Sequence, residues 1–135
     1  MSRKYLLDSN IVSALLRDPH GRLAQKIARI GEANIAVSIV VAAELRFGAE
    51  KKGSSALSSQ IDGFLKLISV LPLDGPADKT YGMLRVALER AGTPIGANDM
   101  LIAAHTLAED MVLVTDNVRE FSRVPGLKIE NWLRP

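Results

Sequence analysis

The chain has 135 residues, of which 47% are hydrophobic, and 17 Lys and Arg stand against 15 Asp and Glu. A chain of this length buries roughly two thirds of the surface that its unfolded form exposes, so we expect a single domain over residues 1–135. The absence of cysteine excludes disulfide scaffolds, zinc–thiolate sites, iron–sulfur clusters and thiol catalysis. A net charge of only +2 on so apolar a chain excludes intrinsic disorder.

No apolar run approaches the ~20 residues needed to span a bilayer. Asp8 also interrupts the N-terminus before the apolar core of a signal peptide could form. We therefore expect a soluble protein that has no membrane partner and acts in the cytoplasm. The isoelectric point of about 9.1 hides nearly balanced charges, so charge alone is a weak argument for a polyanionic partner.

The order of apolar runs and helical repeats predicts the fold class. Short apolar runs that end at small polar or acidic residues are typical of strands buried on both faces. Such runs, and a short last strand, are predicted at residues 4–7, 34–37, 111–114 and 127–129. Helical spacing is found at residues 9–17, 23–30, 39–51, 57–68, 81–91 and in a segment with Asp99 in its first turn. Alternating strands and helices predict an α/β fold of three layers, with a central, mainly parallel, twisted sheet between helices.

Polar residues follow three of the predicted strands directly: Asp8, Ser38 and Asp116. In open parallel sheets the binding crevice lies beyond the carboxyl ends of the strands, where these side chains would meet. Asp and Ser are also common helix N-caps, and a strand-to-helix turn needs one. For each residue taken alone, capping is the simpler interpretation.

Glu44 and Asp99 are harder to explain as surface residues. On a helix over residues 39–51, the residues three and four positions from Glu44 include Val40, Val41 and Phe47, so the carboxylate leaves the apolar face. Asp99 likewise sits beside a core-facing stripe, although an acid in the first turn of a helix is also favoured by the helix dipole. A buried carboxylate without a partner is costly, so each acid needs neutralisation, a cation or a metal.

A divalent cation would resolve the repulsion between several inward-facing acids. Because the chain offers no thiol ligands, an oxygen-only set selects hard ions such as Mg²⁺ or Mn²⁺ over zinc. The histidines are His20, in a turn, and His105, well round the helix from Asp99. We expect neither to take part in catalysis.

At this point the residues resemble a known family. In chain order the matching segments are residues 6–10 (LLDSN), 43–49 (AELRFGA), 95–105 (IGANDMLIAAH), 114–121 (VTDNVREF), 124–127 (VPGL) and 130–132 (ENW). Together they resemble a PIN domain, and within that superfamily the VapC-type ribonuclease toxins of bacterial type II toxin–antitoxin systems. The resemblance covers essentially the whole chain, and the segment from Thr115 to Trp132 is its most specific part.

The resemblance implies roles for particular residues. Asp8, Glu44 and Asp99 would form the acidic triad that holds Mg²⁺ or Mn²⁺, and Asp116 occupies a fourth acidic position where many VapC-type chains have Asn. The supporting positions are Thr115, a hydroxyl near the metal, Ser9 and Asn10, which would orient Asp8, and Asn117, a signature residue without a derived role.

The resemblance also implies an activity and partners. The expected function is a metal-dependent endoribonuclease that inhibits translation or growth by cleaving specific RNA, often tRNA. A cognate VapB-like antitoxin would cover the groove and present a basic side chain to the acids, and a homodimer is usual in the family. Candidates for attracting the RNA backbone are Arg46, Lys51, Lys52, Arg119 and Arg123.

Other classes of function remain open at the level of sequence. A haloacid-dehalogenase-like phosphatase also begins with an Asp at a strand end, but it needs a second Asp where this chain has Asn10. A receiver-like phosphoacceptor domain would need a Lys at a late strand end, which Thr115 and Asp116 do not provide. A catalytically silent nucleic-acid-binding module on the same fold is a further alternative.

Overall fold

A computed structural model describes residues 4–134 of the chain. The predicted domain of residues 1–135 also includes residues 1–3 and 135, which lie outside that range. The strands are β1 (Tyr5–Leu7), β2 (Ile35–Ser38), β3 (Ser69–Leu71), β4 (Val112–Val114) and β5 (Lys128–Glu130). The helices are α1 (Ser9–Arg17), α2 (Arg22–Ile30), α3 (Ile39–Lys52), α4 (Ser55–Leu67), α5 (Ala77–Ala91), α6 (Ala97–Ala108) and α7 (Val118–Phe121), and a 3₁₀ turn covers Glu32–Asn34.

The five strands form one parallel sheet in the order β3-β2-β1-β4-β5. The chain moves from β1 through β2 to β3 in one direction and then crosses back to β4 and β5. Because parallel crossovers are right-handed, this reversal places α1 to α4 on one face of the sheet and α5 to α7 on the other. The α/β fold with three layers is therefore confirmed, and the sheet is parallel throughout.

The core lies between the sheet and these two helical layers. β2 and β4 are buried at every position, as expected of central strands covered on both faces. Leu7, Ile11, Val37, Ile102 and Leu113 are all fully buried in one continuous cluster. No helix within residues 4–134 is both long and apolar enough to cross a membrane.

The structure corrects some predicted boundaries. The third strand, β3, follows α4 directly and was not predicted, because its three residues are partly exposed and carry no continuous apolar run. It forms an edge of the sheet, where one-sided pairing tolerates such a sequence. Helix α5 begins at Ala77 rather than at residue 81, and the four-residue helix α7 was also missed because so short a helix has no repeat to detect.

The buried position of Leu113 gives a test of the packing. Leu113 is fully buried at the centre of β4, whereas Leu67, at the end of α4, is 68% exposed. We expect Leu113→Ala to lower the free energy of unfolding by about 2–5 kcal/mol through a cavity, and Leu67→Ala to change it by less than about 0.5 kcal/mol. Urea unfolding measures both values. Similar losses for the two variants would contradict the core described here.

Candidate active site

Asp8 is placed and held by the end of β1 and by the neighbouring strand β4. Its backbone N–H donates to the Val114 carbonyl at 2.9 Å, which continues the strand pairing by one residue. Its side chain caps α1, because Oδ1 accepts the Ser9 backbone N–H at 2.8 Å. Oδ2 accepts the Thr115 hydroxyl at 2.7 Å and the Asn10 amide at 3.3 Å. The capping and binding interpretations of Asp8 are thus compatible, since one oxygen caps the helix while the other faces Thr115.

The predicted supporting residues surround this carboxylate. Thr115 Oγ1, besides donating to Asp8, accepts the backbone N–H of Asn117 at 3.0 Å. Asn10 accepts the Asp116 backbone N–H at 3.1 Å through Oδ1, so it joins α1 to the loop after β4. Burial raises the pKa of Asp8 above its ordinary value, and the hydrogen bonds from Thr115, Ser9 and Asn10 oppose that rise. The network therefore holds a buried carboxyl in one orientation.

Glu44 leaves α3 toward the same edge of the sheet. Its Oε2 accepts the Asn98 amide at 3.3 Å, whereas Oε1 is buried and has no hydrogen-bond partner among the described residues. Burial raises the pKa of Glu44, and the charge of Asp8 adds to that effect. A cavity of about 350 Å³ lies beside it, with Ser9, Arg17 and Lys52 among its lining residues. The Glu44 side chain thus carries a desolvated oxygen that needs a proton or a cation.

Asp99 stands in the first turn of α6, next to Glu120 of α7. An ideal Cβ built on Gly96 would lie 3.5 Å from Glu120 Oε1 and 3.8 Å from Asp99 Oδ2, so both carboxyl groups converge on the space beside this glycine. Burial, followed by the charges of Glu120, Asp8 and Glu44, raises the pKa of Asp99 to about 7. Asp99 therefore keeps its proton far above the ordinary range of a carboxyl group.

Glu120 was missed as a site residue. Its Oε1 accepts the Gly96 backbone N–H at 2.6 Å and its Oε2 accepts the Asn117 amide at 3.0 Å. The Gly96 bond is the main reason that the pKa of Glu120 is lowered, so Glu120 is ionised while Asp99 holds the proton. The signal available in the sequence was its position within the 114–121 segment, four residues after Asp116.

Asp116 lies apart from these side chains. Its Oδ1 accepts the Asn131 amide at 3.0 Å and lies 3.5 Å from Arg134 Nε, so its carboxylate faces the C-terminal segment. The structure thus brings Asp8, Glu44 and Asp99 near Glu120, whereas Oδ1 of Asp116 is engaged by Asn131 and Arg134. Its role as a fourth ligand stays a prediction.

The chemistry of the site suits a hard cation. Its donors are carboxylate, hydroxyl and amide oxygens, and the buried Glu44 Oε1, without a hydrogen-bond partner among the described residues, is the atom that a cation would compensate best. Within residues 4–134, no three His, Cys, Asp or Glu side chains are spaced closely enough to hold one ion as they stand. The charges of Glu120, Asp8 and Glu44 nevertheless raise the pKa of Asp99, so the four carboxyl groups lie in one neighbourhood.

His105 has a structural position in this neighbourhood. Its Nδ1 lies 2.8 Å from Ser38 Oγ, and Ser38 accepts the Val40 N–H as the N-cap of α3. Burial lowers the pKa of His105 and keeps the ring neutral. The contact joins α6, which carries Asp99, to the start of α3, which carries Glu44.

Some of the predicted RNA-binding cations already have partners within the protein. Arg46 forms an ion pair with Asp62 of α4, and Arg123 donates to the Pro94 carbonyl at 2.9 Å. Lys51 lies 5.9 Å from the centre of the Phe47 ring. Lys52 is different, because it lines the cavity beside Glu44.

The comparisons with known proteins agree on one family. The model of the PIN domain family matches residues 5–127. The chain is 39% identical to Ribonuclease VapC2 of Rickettsia felis, with 95% of this chain and 97% of the relative covered, and 32% identical to the tRNA(fMet)-specific endonuclease VapC of Salmonella typhimurium, with 96% and 98% covered. Among solved structures, DNA-bound VapBC from Salmonella typhimurium gives a TM-score of 0.87 at 33% identity, covering 96% of this chain and 98% of that chain.

Fold and site together define an α/β protein with an acidic, oxygen-only cluster at the carboxyl edge of a parallel sheet. The chain belongs to the PIN domain family, and the resemblance to VapC-type proteins is confirmed.

The raised pKa of Asp99 predicts an unusual effect of pH on stability. Its pKa is about 7 in the folded protein and 3.8 as the ordinary value, so the stability present at low pH is lost as the pH rises through about 7. We expect Asp99→Asn to stabilise the metal-free protein at pH 7.5 by about 1–2 kcal/mol, a value reduced for solvent screening of this half-buried group. Urea unfolding in EDTA at several pH values measures it. The gain should shrink toward pH 4, and a gain that does not change with pH would contradict the electrostatic origin.

Proposed function

We propose that this protein is an endoribonuclease that hydrolyses RNA phosphodiester bonds with the help of Mg²⁺ or Mn²⁺, and that it is the toxin of a toxin–antitoxin pair. The observation that carries the proposal is the convergence of Asp8, Glu44, Asp99 and Glu120, with one Glu44 oxygen buried and unpaired. The relatives named above, a ribonuclease and a tRNA-specific endonuclease, support the same activity.

Asp8, Glu44 and Asp99 would hold the cation, with Glu120 or Asp116 as a further ligand. When bound, a divalent ion would activate water as the nucleophile and screen the charge that builds up on the phosphate. Asp8 is already oriented for this by Thr115, Ser9 and Asn10. No side chain need act as a nucleophile.

Asp99 must lose its proton before it can ligate an ion well. The proton is held by burial and by the neighbouring negative charges, so a positive charge in the site would lower the pKa of Asp99. The Glu120 carboxylate, fixed by Gly96 and Asn117, then remains beside the ionised Asp99. Cation binding and loss of the Asp99 proton are therefore coupled.

The partner we propose is a VapB-like antitoxin, since the similar structures include VapBC complexes from Rickettsia felis and Salmonella typhimurium. The substrate would be a specific RNA, with tRNA the first candidate because of the printed specificity of the Salmonella relative. We further propose a homodimer that acts in the cytoplasm as a single PIN domain over residues 1–135. A phosphatase is disfavoured, because Asn10, where that class needs an acid, donates to Asp8 instead.

Substitution of the central acids tests the proposal. Asp8→Asn and Asp99→Asn should each lower RNA cleavage by at least about 100-fold, because each removes a charge that the reaction needs. Asp110→Asn is the matched control, since Asp110 lies in the turn before β4, at the opposite edge of the sheet.

The assay incubates purified, antitoxin-free protein with total cellular RNA, with Mg²⁺, with Mn²⁺ or with EDTA, and maps new 5′ ends. Cleavage should need a divalent ion and should persist in Asp110→Asn. Full activity of a well-folded Asp99→Asn protein, or equal cleavage in EDTA, would refute the proposal.

The identity of the fourth acid is tested separately. Glu120 adjoins Asp99, whereas the Asp116 carboxylate is engaged by Asn131 and Arg134. We expect Glu120→Gln to lower kcat by about 10-fold or more and Asp116→Asn to lower it by less, measured on the same RNA at saturating Mn²⁺. A larger loss of kcat in Asp116→Asn than in Glu120→Gln would instead identify Asp116 as the fourth acid of the site.

A further inference from the structure

A basic groove lies between α2 and the C-terminal segment, and Arg134, Asp116 and Asn10 connect it to Asp8. It is a depression of about 280 Å³ lined by Arg22, Gln25, Lys26 and Arg29 of α2 and by Trp132 and Arg134 of the C-terminal segment. We propose that this α2 groove binds the phosphate backbone of the RNA substrate and directs it to the acids. The inference rests on the proposed ribonuclease function and adds a binding surface that the sequence did not indicate.

The cations of the groove are available to a ligand. Arg22, Lys26 and Arg29 follow one another at intervals of four and three residues, so they form one stripe along α2, about 10 Å long. Within residues 4–134 none of these three side chains forms an ion pair with a carboxylate, and the lining contains no acid. Unpaired cations on one face are what an extended polyanion requires.

The wall of the groove is fixed by Trp132. Its ring packs against Tyr5 of β1, with the ring centroids 5.1 Å apart, and Lys26 Nζ lies 5.2 Å from the indole centroid. The indole N–H donates to Glu130 at 2.9 Å. Because its ring already contacts Tyr5 and Lys26, Trp132 holds Lys26 in place rather than offering a platform for stacking bases.

A short series of contacts connects the groove to the acids. Arg134 Nε lies 3.5 Å from Asp116 Oδ1, the Asp116 N–H donates to Asn10 Oδ1 at 3.1 Å, and the Asn10 amide donates to Asp8 Oδ2 at 3.3 Å. The acidic cluster by itself repels a phosphodiester. The cations of the α2 groove would offset that repulsion for an approaching polyanion.

The chemistry of the groove favours RNA over an acidic protein. Protein interfaces concentrate apolar side chains at their centre and are depleted in lysine, whereas this lining combines Lys26 with three arginines and has no aliphatic side chain within residues 4–134. Large exposed apolar side chains such as Phe47 and Met83 lie instead on α3 and α5. Arginine guanidinium groups donate paired hydrogen bonds to phosphate, so contacts of this kind would position the RNA without reading its sequence.

The test compares two double variants of equal charge. Arg22→Gln/Arg29→Gln removes groove cations but keeps Lys26, which packs on Trp132, whereas Lys79→Gln/Arg90→Gln removes two exposed cations of α5. Both are made in full-length Asp99→Asn protein, and fluorescence anisotropy measures the Kd for bulk tRNA at several salt concentrations. We expect the groove variant to bind about 10-fold more weakly and its plot of log K against log salt to become less steep by about 1 to 2 in slope, with no change in the α5 variant.

The same pairs in otherwise wild-type protein separate this inference from the proposed function. The groove variant should raise KM for tRNA with kcat unchanged. Equal Kd, salt slope and KM in both pairs would overturn the groove while cleavage stands. Binding of poly-glutamate lost in the groove variant, with tRNA affinity intact, would overturn it in favour of an acidic protein. If the wild-type protein cleaves no RNA with Mn²⁺, the proposed function is refuted. The groove is judged separately by the Kd values, and normal tRNA binding by the groove variant would refute it.

Discussion

The burial of Asp8 at the end of a central strand is the constraint on which the site depends. A carboxylate in that position must be compensated, and the protein does so with the Thr115 hydroxyl, the Ser9 backbone N–H and the Asn10 amide. These donors come from α1 and from the loop after β4, so strand pairing and side-chain orientation support each other. Because the compensation is incomplete, the pKa of Asp8 remains above its ordinary value.

The surrounding carboxyl groups extend this incomplete compensation. The pKa of Asp99 is raised and that of Glu120 is lowered, so Asp99 holds a proton while Glu120 is ionised. Glu44 contributes an oxygen with no hydrogen-bond partner in the described part of the chain. Apolar side chains of similar volume at these positions would make the folded protein as stable or more stable. Their presence at one edge of the sheet is explained if they bind a cation together. The carboxyl groups that destabilise the metal-free protein would then be the ones that the proposed activity requires.

Charges of opposite sign occupy separate elements of the fold. The acids lie at the ends of β1 and in α3, α6 and α7, whereas the cations of the α2 groove lie along one helix and the C-terminal segment. Asp116 stands between the two sets, paired with Arg134 and joined to Asn10 through its backbone. This arrangement would allow a nearly neutral chain both to attract a polyanion and to hold a positive ion, as the two proposals require.

The sequence by itself determined the parallel α/β fold, because apolar runs and helical repeats report burial directly. It also determined the candidacy of Asp8, Glu44 and Asp99, since an acid at a strand end or on an apolar helix face is visible without coordinates. Edge strand β3 escaped detection, because its partly exposed residues are stabilised by pairing with β2 and not by a local pattern. Only the tertiary structure decided that Glu120 adjoins Asp99 while Asp116 turns to Arg134. The tertiary structure alone also showed that α2 lies beside Trp132. Contacts between residues from opposite ends of the chain depend on how the elements pack, so no local sequence pattern indicates them.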